Sequence, residues 1–158
     1  MTTETLNFFV ETGYRLYSGD DSEILDTGQQ GTPATPLIDI LPSHSYLLVA
    51  SATEWGEISL TYRITDHEPA LETGGWDEVH DVSLLLQPAP DPEDAPFTGL
   101  AIEGTSSGDD VEIIPLTVSD KPSWWRVRLQ VARNQEQERH LLTFWPAPQA
   151  EPTVHQAP

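Results

Sequence analysis

Cysteine is absent from the 158-residue chain, and with it go disulfides, thiol nucleophiles and thiolate zinc sites. Basic residues are scarce: 7 Lys and Arg stand against 26 Asp and Glu, for a formal net charge of −19. Long apolar runs are missing as well. The longest is Tyr46–Ala50, far short of a membrane span. Residues 1–4 carry no positive charge and lead into no apolar h-region, so they do not read as a secretory signal, and a cytoplasmic location is expected. A chain this acidic is repelled by nucleic-acid phosphate and by anionic membranes. Neither is expected as a direct partner, whereas a basic protein is.

Catalytic signatures are lacking too. There is no His-x-x-x-His or His-Glu-x-x-His pair and no Gly-rich phosphate loop. The acidic clusters Asp20-Asp21-Ser22-Glu23 and Asp109-Asp110-Val111-Glu112 miss EF-hand spacing. An irregular, weak calcium loop stays open, and a zinc site would have to be assembled from distant residues. The chain is therefore expected to be non-enzymatic, with no catalytic residue, no metal ligand and no cofactor.

What is present has a period of two. Ile58, Leu60, Tyr62 and Ile64 alternate with Ser59, Thr61, Arg63 and Thr65; Trp125, Val127, Leu129 and Val131 alternate with Trp124, Arg126, Arg128 and Gln130. This is the pattern of strands with one buried face. Further strands are expected at Leu6–Val10, Gly13–Tyr17, Ser45–Ser51, Glu78–Leu86, Gly99–Ile102, Val111–Val118 and His140–Trp145, all rich in β-branched and aromatic residues. Fourteen Pro and ten Gly punctuate them, and no segment of twelve or more residues keeps a helical period. Two hairpins are expected, Ser45–Ser51 with Glu57–Thr65 and Trp124–Ala132 with His140–Trp145. The fold class is all-β: a single-domain β-sandwich over residues 1–146, of roughly eight or nine short, mostly antiparallel strands. Residues 147–158 read as a Pro-rich extended or disordered tail.

The charge is uneven. Residues 1–120 hold 23 acids and two bases, for −21, while residues 121–158 sum to +2. Most acids fall in turn-rich segments, where they serve either solubility or a basic partner. Five Trp are the other candidates for function. Trp125 and Trp145 read as core. Trp124 shares the polar face with Arg126 and Arg128, and either packs under a loop or offers a stacking platform. Trp55 sits at an expected hairpin tip between Glu54 and Gly56, and Trp76 follows two glycines and precedes Asp77-Glu78. An aromatic flanked by carboxylates has the composition of an interface anchor facing a basic surface. The expected partner-binding set is Asp20, Asp21, Trp55, Trp76, Asp77, Glu78, Asp109 and Asp110.

The stretch Trp125-Arg126-Val127-Arg128-Leu129, followed by His140-Leu141-Leu142-Thr143-Phe144-Trp145-Pro146-Ala147, resembles the last hairpin of a group of small bacterial proteins. That hairpin reads Tyr-Arg-Val-Arg-Val, then Leu-Leu-Gln-Leu-Trp-Pro-Ala, with a Trp-Asp/Glu-x-Val strand about fifty residues upstream, here Trp76-Asp77-Glu78-Val79. In layout the chain is also similar to the acidic nuclease inhibitor of the competence system, competence protein J. The resemblance covers about a third of the chain, carries no catalytic motif and transfers no binding residue. It implies a cytoplasmic immunity or inhibitor protein that neutralises a basic toxin or nuclease. Two other functions fit the composition: a DNA-mimic blocker of a defence or DNA-binding complex, and a ligand-binding or structural β-sandwich.

Overall fold

The computed structural model describes residues 2–18, 32–87, 99–104, 111–116, 121–133 and 137–157. Among these the chain forms twelve strands in two sheets. The first sheet holds β1 (Thr2–Val10), β6 (Gly56–Ile64), β11 (Arg139–Pro146), β10 (Ser123–Ala132), β7 (Glu78–Leu86) and β12 (Thr153–Gln156), in that spatial order. The second runs β3 (Thr32–Thr35), β4 (Ile38–Ile40), β5 (Tyr46–Ala50), β2 (Gly13–Tyr17), β8 (Leu100–Gly104) and β9 (Val111–Ile114). All pairs are antiparallel except β11 with β6. The fold is a β-sandwich, as the alternation predicts.

The core lies between the sheets and follows the period-two positions. Ile58, Leu60 and Tyr62 of β6, Val127, Leu129 and Val131 of β10, and Leu142 and Phe144 of β11 meet Tyr14, Leu16, Leu47, Val49, Leu100 and Ile102 of the second sheet. At about 25 cal/mol per Å² of apolar surface removed from water, each such side chain contributes roughly 1.5–3 kcal/mol. Glycines leave room where backbones approach closely: a Cβ on Gly13 would stand 2.2 Å from the Val49 carbonyl oxygen of the neighbouring strand β5, and one on Gly104 would stand 2.7 Å from that of Phe9 in the facing sheet.

Several sequence expectations change at this level. The β5–β6 pair is not a hairpin, because β5 belongs to the second sheet and β6 to the first, so residues 51–55 cross between sheets. The β10–β11 hairpin forms, over eight paired positions. Strands β3, β4 and β12 go beyond the nine expected; each is three or four residues long, too short for a periodic signal. Residues 147–157, expected as an extended or disordered tail, run back along the sheet and end in β12, antiparallel to β7. Trp145 is buried, but on the outer face opposite Arg126, while its neighbour Phe144 points to the core.

Candidate functional site

The outward face of β7, β10 and β11 carries Asp81, Ser83, Arg126, Arg128, Gln130, Leu141, Thr143 and Trp145, and every one is buried. Two segments cover it. Residues 65–77, between β6 and β7, lie across its middle: Arg128 Nη1 donates to the Pro69 carbonyl at 3.2 Å and Gln130 Nε2 to that of Glu72 at 2.8 Å. The C-terminal strap lies beside them. Arg126 donates to the carbonyls of Ala150 at 3.0 Å and Glu151 at 2.7 Å, and the Ala150 amide donates to Ser83 Oγ at 3.0 Å. Under the cover Arg128 grips Asp81 with two nearly parallel bonds of 2.9 and 3.0 Å and lies 5.0 Å from the centre of the Trp145 ring. His155 of the strap reaches the same carboxylate at 2.8 Å. A bidentate pair is the geometry that lets such charges leave water. Burial is also what lowers the Arg126 pKa from its ordinary value.

Beside the strap opens a cleft of about 470 Å³. Ile40 and His44 of the second sheet line one side, and Ser83, Gln149, Ala150, Glu151 and Pro152 line the other. His44 holds a left-handed backbone, φ 61°, in the turn between β4 and β5, and its carbonyl accepts the Leu85 amide at 2.8 Å. That bond fixes the turn against β7 and sets one wall. Half-buried Trp124 meets the His44 ring edge-on at 5.7 Å, so the Trp124 ring packs against a residue of the cleft wall instead of standing clear as a platform.

A second polar group lies inside the sandwich, at the opposite end of β10. The Tyr14 hydroxyl bonds His140 Nδ1 at 2.8 Å, and His140 Nε2 bonds Glu138 at 2.7 Å. Glu138 also accepts the amides of Ala52 and Thr53 and the Thr53 hydroxyl, at 3.1, 2.8 and 2.9 Å. Burial alone would raise the Glu138 carboxyl; the His140 bond and charge, with the two amides, outweigh it and hold the pKa down at about 2. Burial, then the Glu138 charge, push the Tyr14 phenol well above its ordinary value. One strand over, Glu78 pairs with Arg133 and with His80 at 3.2 Å, and burial lowers the His80 pKa. His80 Nδ1 finds no hydrogen-bond partner among the described residues. A phenol–imidazole–carboxylate chain is a proton-relay arrangement; here, with Tyr14 and His140 buried, it ties β2, β11 and the turn over residues 51–55 together.

Of the residues singled out from sequence, Trp55, Trp76, Asp77 and Glu78 lie among the described residues. Trp55 is 69% exposed, its ring meeting Phe9 edge-on at 4.9 Å. Trp76 is half-buried, with the Arg139 guanidinium 5.1 Å from its ring and its carbonyl accepting from Gln156. Asp77 accepts the Arg133 amide at 2.6 Å. Glu78 is buried and paired within the chain, on the same face of β7 as Val82 and Leu84. Alternation along Glu78–Leu86 carried that signal already. Asp20, Asp21, Asp109 and Asp110 lie outside the described residues. Among the described residues no cluster of three or more His, Cys, Asp or Glu could hold a metal ion, and no helix is long and apolar enough to cross a membrane.

No protein-family model and no curated protein matches the chain. Among solved structures the chain is similar to the protein described as crocagin biosynthetic gene J, with a TM-score of 0.54 and 15% identity over 94% of this chain and 100% of that one. At that identity the likeness is one of fold: a distant structural relative associated with biosynthesis, with the sandwich in common.

Proposed function

We propose that the protein works by binding and not by catalysis, as a ligand-binding β-sandwich whose site is the cleft beside the C-terminal strap. The cleft's lining carries this reading. Its volume falls in the range of small-molecule sites, roughly 300–1,000 Å³, and it combines apolar walls (Ile40, Pro152) with a few convergent polar groups (His44, Gln149, Glu151). A single carboxylate on the rim favours neutral or cationic ligands over anions. The fold shared with the crocagin biosynthetic protein supports the scaffold and says nothing of the ligand. Melting the chain against a panel of neutral and cationic metabolites tests the reading. A stabilising ligand is expected to lose its effect in the Gln149→Ala variant and to change Trp124 fluorescence. A panel without one stabilising member, or shifts that survive Gln149→Ala, would overturn it.

A second reading is a cytoplasmic immunity or inhibitor protein acting on a basic toxin or nuclease. The exposed Trp55, flanked by exposed Glu54 and Glu57 in a chain of net charge −19, supports it. Complementary charge would speed association towards about 10⁸ M⁻¹s⁻¹ at low salt. An association rate indifferent to salt would sink it. The DNA-mimic alternative ranks below both, since phosphate-like rows of acids usually ride on long helices and the described residues form none.

A further inference from the structure

We infer that the turn bearing Trp55 is a docking knob for a basic protein, the ring entering an apolar pocket whose rim supplies Lys or Arg for Glu54 and Glu57. The inference rests on the inhibitor reading and adds the place of contact and the chemistry of the partner's surface.

Trp55 is the most exposed of the large apolar side chains described here, and its exposure has no slack behind it. The turn over residues 51–55 is fastened from three directions. From the β1–β2 turn, Thr12, itself in a left-handed conformation (φ 65°), donates its amide to the Glu54 carbonyl at 3.0 Å and accepts the Ser51 amide at 3.1 Å. Within the turn, Ser51 Oγ donates to the Thr53 carbonyl at 2.7 Å. From beneath, Glu138 takes the Ala52 and Thr53 amides, and its own carboxylate is held by His140 and, through it, by Tyr14 in the core. The backbone on the N-terminal side of Trp55 is thus fixed to the interior, and Phe9 sets the ring from one side.

Such an arrangement lowers the ordering cost of binding, because little conformational freedom remains to be lost in the complex. A loop that served only to link the sheets would gain by folding its indole inward. This one spends a buried carboxylate on holding the backbone and leaves the indole in water. Tryptophan at a rigid, protruding point is the residue type most enriched among interface hot spots. The charge around it selects the partner. Glu54 and Glu57 flank it in sequence, Glu57 lies opposite Phe9 in the β1–β6 ladder, and Glu11 follows the last residue of β1; all three acids are exposed. An acidic partner, or a second copy presenting the same knob, would meet like charge at the rim.

Site-specific photocrosslinking in the cell the chain comes from tests this directly. Benzoylphenylalanine replaces Ala52, which is exposed and leaves Trp55 in place; in parallel chains it replaces Leu71 or Val154, the other large exposed apolar side chains, 49% and 42% exposed. The expected result is an adduct from position 52, and not from 71 or 154, with a protein of isoelectric point above about 9. The affinity of that protein, once purified, should fall at least roughly tenfold with Trp55→Ala. Its salt dependence should weaken with the double change Glu54→Gln, Glu57→Gln. A basic protein crosslinked only from 71 or 154, or bound equally by Trp55→Ala, leaves the inhibitor reading standing and removes the knob. No basic adduct from any position removes both. An acidic protein or a second copy at position 52 overturns the charge argument.

Discussion

The outer face of the first sheet divides into two halves that share one alternation and have opposite fates. Over β7, β10 and β11 most outward side chains are buried, two arginines and an aspartate among them. Over β1 and β6 they meet water: Thr3, Thr5 and Asn7 are exposed, Ser59, Thr61 and Arg63 are half-buried, and the one bond among their side chains is Thr5 to Thr61 at 3.0 Å. Between the two strongly alternating strands, β6 and β10, nothing in the pattern separates the halves, since each reads apolar-in, polar-out. The difference comes from the chain laid across one of them. Residues 65–77 and the strap supply backbone carbonyls at the points where Arg126, Arg128 and Gln130 present donors. A charged residue can be covered only when its donors are met, so the covering segments and the arginines form one device.

The largest expected effect comes from breaking that device at its centre. Arg128→Ala leaves Asp81 with only the strap's His155 as an ionic partner and empties the space beside Trp145. A loss of about 3–5 kcal/mol is expected, read as a fall in the urea midpoint. Trp145→Ala should cost a similar amount through the cavity it leaves. The matching change on the open half, Arg63→Ala, is expected to stay within about 0.5 kcal/mol. Equal losses from Arg128→Ala and Arg63→Ala would erase the distinction between the halves.

How much of this was legible in sequence follows the same line. Strands β6 and β10 are long, strongly alternating runs, and they form where the period places them. Glu78 was legible too, since it shares parity with His80, Val82 and Leu84; its flanking acid and tryptophan drew it into the interface set instead. Three things were not. The parity of Trp145 was hidden because its strand is buried on both faces, so Leu141, Leu142, Thr143 and Phe144 give no alternation to count. The covering of Arg126 and Arg128 depends on backbone carbonyls of Pro69, Ala150 and Glu151, and a carbonyl has no residue-type signature. The Tyr14–His140–Glu138 chain joins positions 126 residues apart, through one tyrosine, one histidine and one of 26 acids. As for the candidate site, Trp55 was named from composition alone, whereas Gln149–Pro152 sat inside a segment whose prolines argue equally for an extended arm and for a strap.

Behind the open half the sandwich is braced by Glu138, and acid should expose that brace. The Glu138 pKa is about 2 in the folded chain against 4.5 for the ordinary carboxyl. A carboxyl held low when folded stabilises the fold fully above the unfolded value, and that contribution is lost as pH falls from 4.5 through about 2. At 1.36 kcal/mol per unit the contribution is about 3 kcal/mol. Glu138→Gln should therefore lower stability at neutral pH by about that amount and flatten the acid limb of the stability–pH curve over the same window. A variant whose curve runs parallel to the parent's between pH 4.5 and 2 would show that Glu138 is not the group responsible. The strap comes next in size. Arg126→Ala removes charged bonds to two strap carbonyls, and about 2 kcal/mol is expected. Faster amide exchange across residues 150–156 should accompany it, with β1 and β6 unchanged.

The smallest effects are the most telling, because they ask what the open half is for. Trp55 and Trp145 are the same residue type, one in the turn before β6 and the other on the outer face of β11, 69% and 3% exposed. Removing the second opens a cavity; removing the first forfeits only an edge contact with Phe9, worth about 0.5–1 kcal/mol. Trp55→Ala is thus expected to melt within a few degrees of the parent, with Thr61→Ala closer still. A melting point depressed as far as that of Trp145→Ala would make Trp55 a structural residue and leave the open half with no exposed anchor. Near-parental stability leaves a large aromatic side chain in water, on a turn fastened to the core, doing nothing for the fold that holds it there. That outcome is what the docking role proposed for Trp55 requires.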